Sequence, residues 1–139
     1  MATHTTSFAE VNGTRLAYER AGEGHPLVLI HGVLVNRHLW DDQFDTFAQY
    51  YDVIRYDMRG FGDSALIAHS TPPYSSSADL YHLLRFLQVE KVYVVGLSAG
   101  GALAIDFTIE HPEMVDALIP VASGLMGYES AASENLWPQ

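Results

Sequence analysis

The chain has 139 residues, 48% hydrophobic and 17% charged, with a formal net charge of -10 and no cysteine. That size and mix suit one globular domain with its own core, and they exclude a disordered chain, a disulfide scaffold and a thiolate metal site. The acidic surplus repels phosphate, so nucleic acid and anionic lipid are not expected partners, and the apolar runs are of strand length, too short to span a bilayer. The start, Met1-Ala2-Thr3-His4-Thr5-Thr6, lacks the basic segment and apolar core of a signal peptide. With the lack of cysteine, this makes a cytoplasmic location the expectation.

In chain order, Ser7 to Val11 and Thr14 to Glu19 are alternating runs joined by Asn12-Gly13, the strongest short hairpin signal, so the fold should open with two antiparallel strands. Leu27-Val28-Leu29-Ile30 is a continuous apolar run of the kind buried on both faces of a parallel sheet. Trp40, Phe44, Phe47 and Tyr51 recur at helical spacing, and Val53-Ile54-Arg55-Tyr56 supplies the next strand. Leu80, Leu83, Leu84 and Leu87 mark a second amphipathic helix before the strand Val92 to Val95. A third helix should run from Ala99 to about Glu110 and end against Pro112. Ala117-Leu118-Ile119 begins a further strand, where Pro120 lacks a ladder donor and favours a strand end or sheet edge. The tail from Ser123 to Gln139 has no clear periodicity. Strands alternating with helices predict a single α/β domain over residues 1–139, a three-layer α/β/α sandwich whose mainly parallel sheet opens with an antiparallel hairpin.

Ligands of open parallel sheets sit beyond the carboxyl ends of the strands, so the turns there carry the functional information. Three stand out: His31-Gly32-Val33, Asp57-Met58-Arg59-Gly60-Phe61-Gly62-Asp63-Ser64, and Gly96-Leu97-Ser98-Ala99-Gly100. The last reads as a nucleophile elbow, a serine on a sharp strand-to-helix turn whose flanking glycines allow close backbone approach. Alone, Gly-x-Ser-x-Gly would arise by chance in about one chain in twenty of this length, with Gly and Ser each at roughly 7%. With the other two turns, in this order and on these strands, the sequence closely resembles the α/β-hydrolase superfamily, from about Ser7 to the end.

That resemblance implies a serine hydrolase acting on small carboxylic esters, without a cofactor or metal. Ser98 would be the nucleophile, and the backbone N–H groups of Val33 and Ala99 would form the oxyanion hole. It also implies a supporting role for His31, hydrogen-bonded to its own loop, and a structural role for the segment from Asp57 to Ser64, with Asp57 and Arg59 available to pair. Gly62-Asp63-Ser64-Ala65-Leu66 imitates the nucleophile block of another lipase group, but that block follows the first strand of its fold, and Ser64 does not. His4, His25, His38, His69, His82 and His111 show no pairing that reads as a metal site, and most of them read as surface residues.

The family's triad runs serine, acid, histidine, with the last two on later strands. About 40 residues follow Ser98, so the resemblance places the acid, the histidine, the closing helix and most of the cap outside this sequence. Within it, His31 and His69 are the base candidates; otherwise another chain supplies the base. The missing closing helix should leave apolar side chains bare beside the Trp40 helix, so a homodimer or a complementing chain is the expected partner, besides the ester substrate. The alternative to an enzyme is a non-catalytic fragment or binding module that keeps the pocket.

Overall fold

A computed structural model of the chain describes residues 3–125. The hairpin forms as expected: β1 (Ser7–Val11) and β2 (Thr14–Ala21) pair antiparallel, with Val11 opposite Thr14. Its turn needs two residues at positive φ, and Asn12 at 49° and Gly13 at 72° meet that demand at little strain. Four further strands, β3 (Pro26–Ile30), β4 (Asp52–Tyr56), β5 (Val92–Leu97) and β6 (Val115–Val121), complete one sheet in the order β1-β2-β4-β3-β5-β6. The last four are mutually parallel and β2 runs antiparallel to β4, which makes the sheet mainly parallel.

Alternation along the strands divides the core into two layers. Val28, Ile30, Ile54, Val92 and Val94 face α2 (Ser76–Phe86) and α3 (Ala99–Glu110), packing on Leu80, Leu83, Leu84 and Phe107. Leu27, Leu29 and Val53 face the other way, onto Trp40 and Phe44. Ser75 starts α2 by accepting a hydrogen bond from the Ala78 N–H at 3.2 Å, a serine N-cap.

The Trp40 region differs from the periodicity. Residues Arg37–Trp40 form a 3₁₀ turn, α1 covers only Asp41–Phe47, and Tyr51 lies in the turn beyond. The chain must reverse there to lay β4 beside β3, with Asp52 N–H reaching His25 O at 3.2 Å. Gly22 packs against this reversal so closely that a Cβ on it would lie 2.9 Å from Ala48 Cα. Helical spacing thus reports which side chains share a face and overstates the helix length.

Among the described residues β6 is a sheet edge, and it accommodates Pro120, opposite Gly96. Tyr93, Val95 and Leu97 line up with Ala117, Ile119 and Val121 on the face that α1 covers only over β3 and β4. A shallow groove of about 390 Å³ runs there between Phe47, Tyr51, Val95 and Ile119, and Ile119 is 54% exposed. This is the bare apolar face expected beside the Trp40 helix. No helix among the described residues is long and apolar enough to cross a membrane.

Candidate active site

The carboxyl ends of β3, β4 and β5 bring the three sequence turns together. After β5 the chain enters α3 through Ser98, whose φ of 54° and ψ of -117° lie in a region that residues with a side chain rarely occupy. Packing enforces it. A Cβ on Gly96 would lie 2.7 Å from Gly101 N, and one on Gly100 would lie 2.5 Å from Ile30 O and closer still to His31 O, so strand and helix meet without room for a methyl. Ser98 N–H donates to Val121 O at 2.9 Å, and Ser98 O accepts from Ala102 N–H at 3.0 Å. The Ser98 hydroxyl makes no capping bond and is exposed at the N-terminus of a twelve-residue helix. A hydroxyl there faces the positive end of the helix dipole, where an anion is stabilised.

Gly32 brings the loop after β3 against the elbow, since a Cβ on it would lie 3.6 Å from Ser98 Cβ. Val33 follows, 55% exposed, and then Leu34, 93% exposed and at a φ of 62°. Val33 and Ala99, the two expected oxyanion donors, line one cleft of about 340 Å³ with Met58, Phe61, Ala102 and Leu103. Asp106, Glu110 and the Ser75 to Ser77 corner also line it. Met58 and Phe61 were not singled out by the sequence, although they flank the glycines of the second turn. A separate concavity of about 300 Å³ near His4, Asp41 and Asp45 lies away from the elbow residues and is a polar notch over the α1 ion pairs.

His31 is buried, and both ring nitrogens are committed: Nδ1 donates to Gly32 O at 2.6 Å and Nε2 accepts from Met58 N–H at 2.9 Å. Burial holds its pKa below the ordinary histidine value, against the opposing pulls of the Gly32 carbonyl and the Asp57 charge. A base must offer a free lone pair to the serine proton, and His31 has none, so as a base candidate it is corrected to a loop support. His69 lies exposed in the loop before α2. Among the described residues no histidine is hydrogen-bonded to the Ser98 hydroxyl, and no group of three His, Asp or Glu side chains could hold a metal ion.

Asp57 and Arg59 do not pair with each other. The Asp57 carboxylate accepts from Arg37 N–H at 2.7 Å, Arg37 Nη1 at 2.5 Å and Asp63 N–H at 2.8 Å, whereas Arg59 grips Asp79 on α2 at 2.7 and 3.0 Å. Ser64 is buried, accepting from Ala17 N–H at 2.9 Å and donating to Asp57 O at 2.6 Å. A hydroxyl bonded on both sides is a strut, which disposes of the second serine motif. Histidines expected at the surface are more engaged than that: His25 stacks on Tyr93 at 3.8 Å and bonds Asp116 at 2.8 Å, and His111 stacks on Tyr81 at 4.5 Å.

Comparison with known proteins agrees with this arrangement. The sequence profile of the alpha/beta hydrolase fold family matches residues 25–138. A soluble epoxide hydrolase of Corynebacterium is 34% identical over 110 residues, covering 79% of this chain and 38% of that protein. A pimeloyl-[acyl-carrier protein] methyl ester esterase of Aliivibrio fischeri is 34% identical over 113 residues, covering 79% and 41%. A crystal structure of a hydrolase from Pseudomonas aeruginosa superposes with a TM-score of 0.81 at 26% identity, covering 96% of this chain and 51% of that one. The chain therefore belongs to the alpha/beta hydrolase family, and it spans about two fifths of the length of these two curated relatives.

Proposed function

We infer that this chain carries the nucleophile and oxyanion hole of a serine hydrolase acting on small carboxylic esters. The observation that carries the reading is the Ser98 hydroxyl, held exposed and uncommitted at the head of α3, with Val33 and Ala99 lining one cleft beside it. Ser98 Oγ attacks the ester carbonyl carbon and its proton passes to a base. The carbonyl oxygen becomes an anion facing the Val33 and Ala99 N–H groups, and the alcohol leaves with a proton to give an acyl-Ser98, which water then cleaves. The cleft's Met58, Phe61, Ala102 and Leu103 suit an uncharged, apolar acyl group. An epoxide-opening relative does not transfer its chemistry here, because an alkyl-enzyme ester needs a carboxylate nucleophile and position 98 is serine.

The base is a histidine, and among the described residues none is bonded to the Ser98 hydroxyl, so the base is one supplied by another chain or another part of the protein. Without it, acylation is expected to fall by about 10⁴- to 10⁶-fold from that of a complete triad. With imidazole added as an external base, turnover of p-nitrophenyl acetate faster in the wild type than in Ser98→Ala supports the reading; equal rates for both proteins under imidazole remove it. The lack of a histidine partner for Ser98 favours a second reading, a module that binds acyl compounds without turnover. That reading predicts ligand binding in the cleft with no Ser98-dependent product.

For the partner, a second copy of this chain is the occupant we assign to the open face over β5 and β6. The described residues of that face, Tyr93, Val95, Leu97, Ala117, Ile119 and Val121, carry no charge, so two chains of net charge -10 can meet there without opposing carboxylates. Sedimentation should give a dimer that Ile119→Asp converts to monomer. A wild-type monomer contradicts this, and a complex only with a different chain identifies a complementing partner instead.

A further inference from the structure

The loop that carries Val33 has little to hold it. Val33, Leu34 and Val35 are all exposed, and Leu34 sits at positive φ, so neither side-chain burial nor an easy backbone conformation fixes the N–H directions. Its position is set at its two ends, and both ends are fastened to the turn after β4. At one end His31 Nε2 accepts from Met58 N–H at 2.9 Å. At the other, Arg37 meets Asp57 twice, through its own N–H at 2.7 Å and through Nη1 at 2.5 Å.

We propose that Arg37 and Asp57 form a clamp that positions the Val33 N–H for the oxyanion, making both residues positioning residues of the Ser98 reaction. The inference rests on the serine hydrolase reading. The clamp is built as a rigid part. Asp57 is fully buried, and its second oxygen is also fixed by the Asp63 N–H at 2.8 Å. The turn that delivers this N–H passes so near that a Cβ on Gly62, at a φ of 51°, would lie 2.7 Å from Asp57 Oδ1. The Arg37 guanidinium is held from other directions by Asp63 at 2.9 Å and Thr6 Oγ1 at 2.8 Å, with Glu19 Oε1 at 3.4 Å from Nε. One planar fork therefore ties the oxyanion loop to three separate parts of the chain, which a lysine cannot reproduce. An ion pair that served only the stability of the sheet would not need the Arg37 backbone N–H; the fork and that bond hold the loop end together, so losing either loosens it.

The test uses the whole chain, with imidazole as an external base, and a fluorophosphonate, whose phosphonyl oxygen occupies the oxyanion position when it reacts with serine. Asp57→Asn keeps the size of the side chain and replaces one acceptor by a donor facing Arg37. It should slow labelling of Ser98 by about 10- to 100-fold with the half-saturating probe concentration unchanged, on the scale of losing an oxyanion donor. Amide exchange should quicken at least tenfold at position 37, whose N–H Asp57 accepts, and stay unchanged in α3. Should Asp57→Asn fail to fold, Arg37→Lys, which keeps the charge and loses the fork, is expected to give the same two effects. Unaltered labelling in a folded variant overturns the clamp, as does faster exchange spread evenly over the sheet. If wild type itself is not labelled, the serine hydrolase reading fails and exchange alone judges the clamp: protection of the amide at position 37 that survives both substitutions refutes it.

Discussion

Replacing Gly100 by alanine probes the strand-to-helix junction that makes Ser98 project. A methyl built there lies 2.5 Å from Ile30 O and nearer still to His31 O, and ordinary contact begins at 3.4 Å, so α3 and β3 must separate by at least about 0.9 Å (3.4 - 2.5). The obstructing atoms are backbone carbonyls of a central strand and cannot rotate aside. Overpacking of this kind costs about 1–3 kcal/mol, and the rigid neighbours put Gly100→Ala near 3. Exchanging glycine for alanine inside a helix returns about 1 kcal/mol, leaving a net loss of about 2. At roughly 4 °C per kcal/mol for a chain of this size, the melting temperature should fall by about 8 °C. Gly101→Ala is the matched control. Its methyl would lie 2.7 Å from the Ser123 side-chain Cβ and 3.1 Å from Gly96 O, a tight contact with less backbone overlap, so Gly101→Ala should lower the melting point by less than Gly100→Ala does. Thermal melts followed by circular dichroism measure both, and Gly100→Ala melting at or above wild type would refute the packing argument.

Strain at Ser98 makes a separate prediction: Ser98→Gly, which tolerates the φ of 54°, should raise the melting point by about 4 °C, a gain near 1 kcal/mol, whereas Ser98→Ala should leave it level. A melt in which both behave alike counts against a strained elbow. If the missing base is what limits turnover, added imidazole should speed ester cleavage in wild type beyond its effect on Ser98→Ala, and equal acceleration of the two would show that imidazole acts in solution only. Stability should also depend on pH in two steps. His31 is held neutral below the ordinary value of 6.5, so the unfolded chain binds its proton first; the melting point should be level above about pH 6.5 and fall as pH drops through that value. Burial pushes the Glu19 carboxyl up, but hydrogen bonds and charge from Arg55, joined by Arg37, hold it below the ordinary 4.5, so its stabilisation is present above that pH and is lost on further acidification. In His31→Asn the first step should vanish and the second remain; a first step that persists assigns it to other histidines.

Most of the fold was legible because local chemistry and tertiary need coincide. Asn12-Gly13 suits its turn whatever surrounds it, Leu27 to Ile30 can only be a strand buried on both faces, and Leu80, Leu83 and Leu84 give one stripe for the core. The elbow was legible for the same reason, since Gly96 and Gly100 are there to let backbone meet backbone. What was missed is long-range polar pairing. Asp57 takes a partner 20 residues earlier and Arg59 one 20 residues later, although the two stand only two positions apart. Neighbours on a turn point to different sides, and no local pattern names the element that will arrive there. Arg55 carried a detectable signal, a charge inside an apolar strand, and Glu19 lies directly opposite it on β2, bonded at 2.6 Å. Arg37, in an irregular loop, carried none. The shortness of α1 was hidden too, because Trp40, Phe44 and Tyr51 keep one face through a 3₁₀ turn, a helix and a reversal.

Ser98 is the group whose reactivity decides between catalysis and mere binding. Wild-type chain incubated with a fluorophosphonate and imidazole as an external base, then digested, should carry a single phosphonyl adduct, on the serine of the peptide that spans β5 and α3, with no adduct anywhere in Ser98→Ala. An unmodified Ser98, or an adduct on Ser64 or another residue instead, would contradict the serine hydrolase reading.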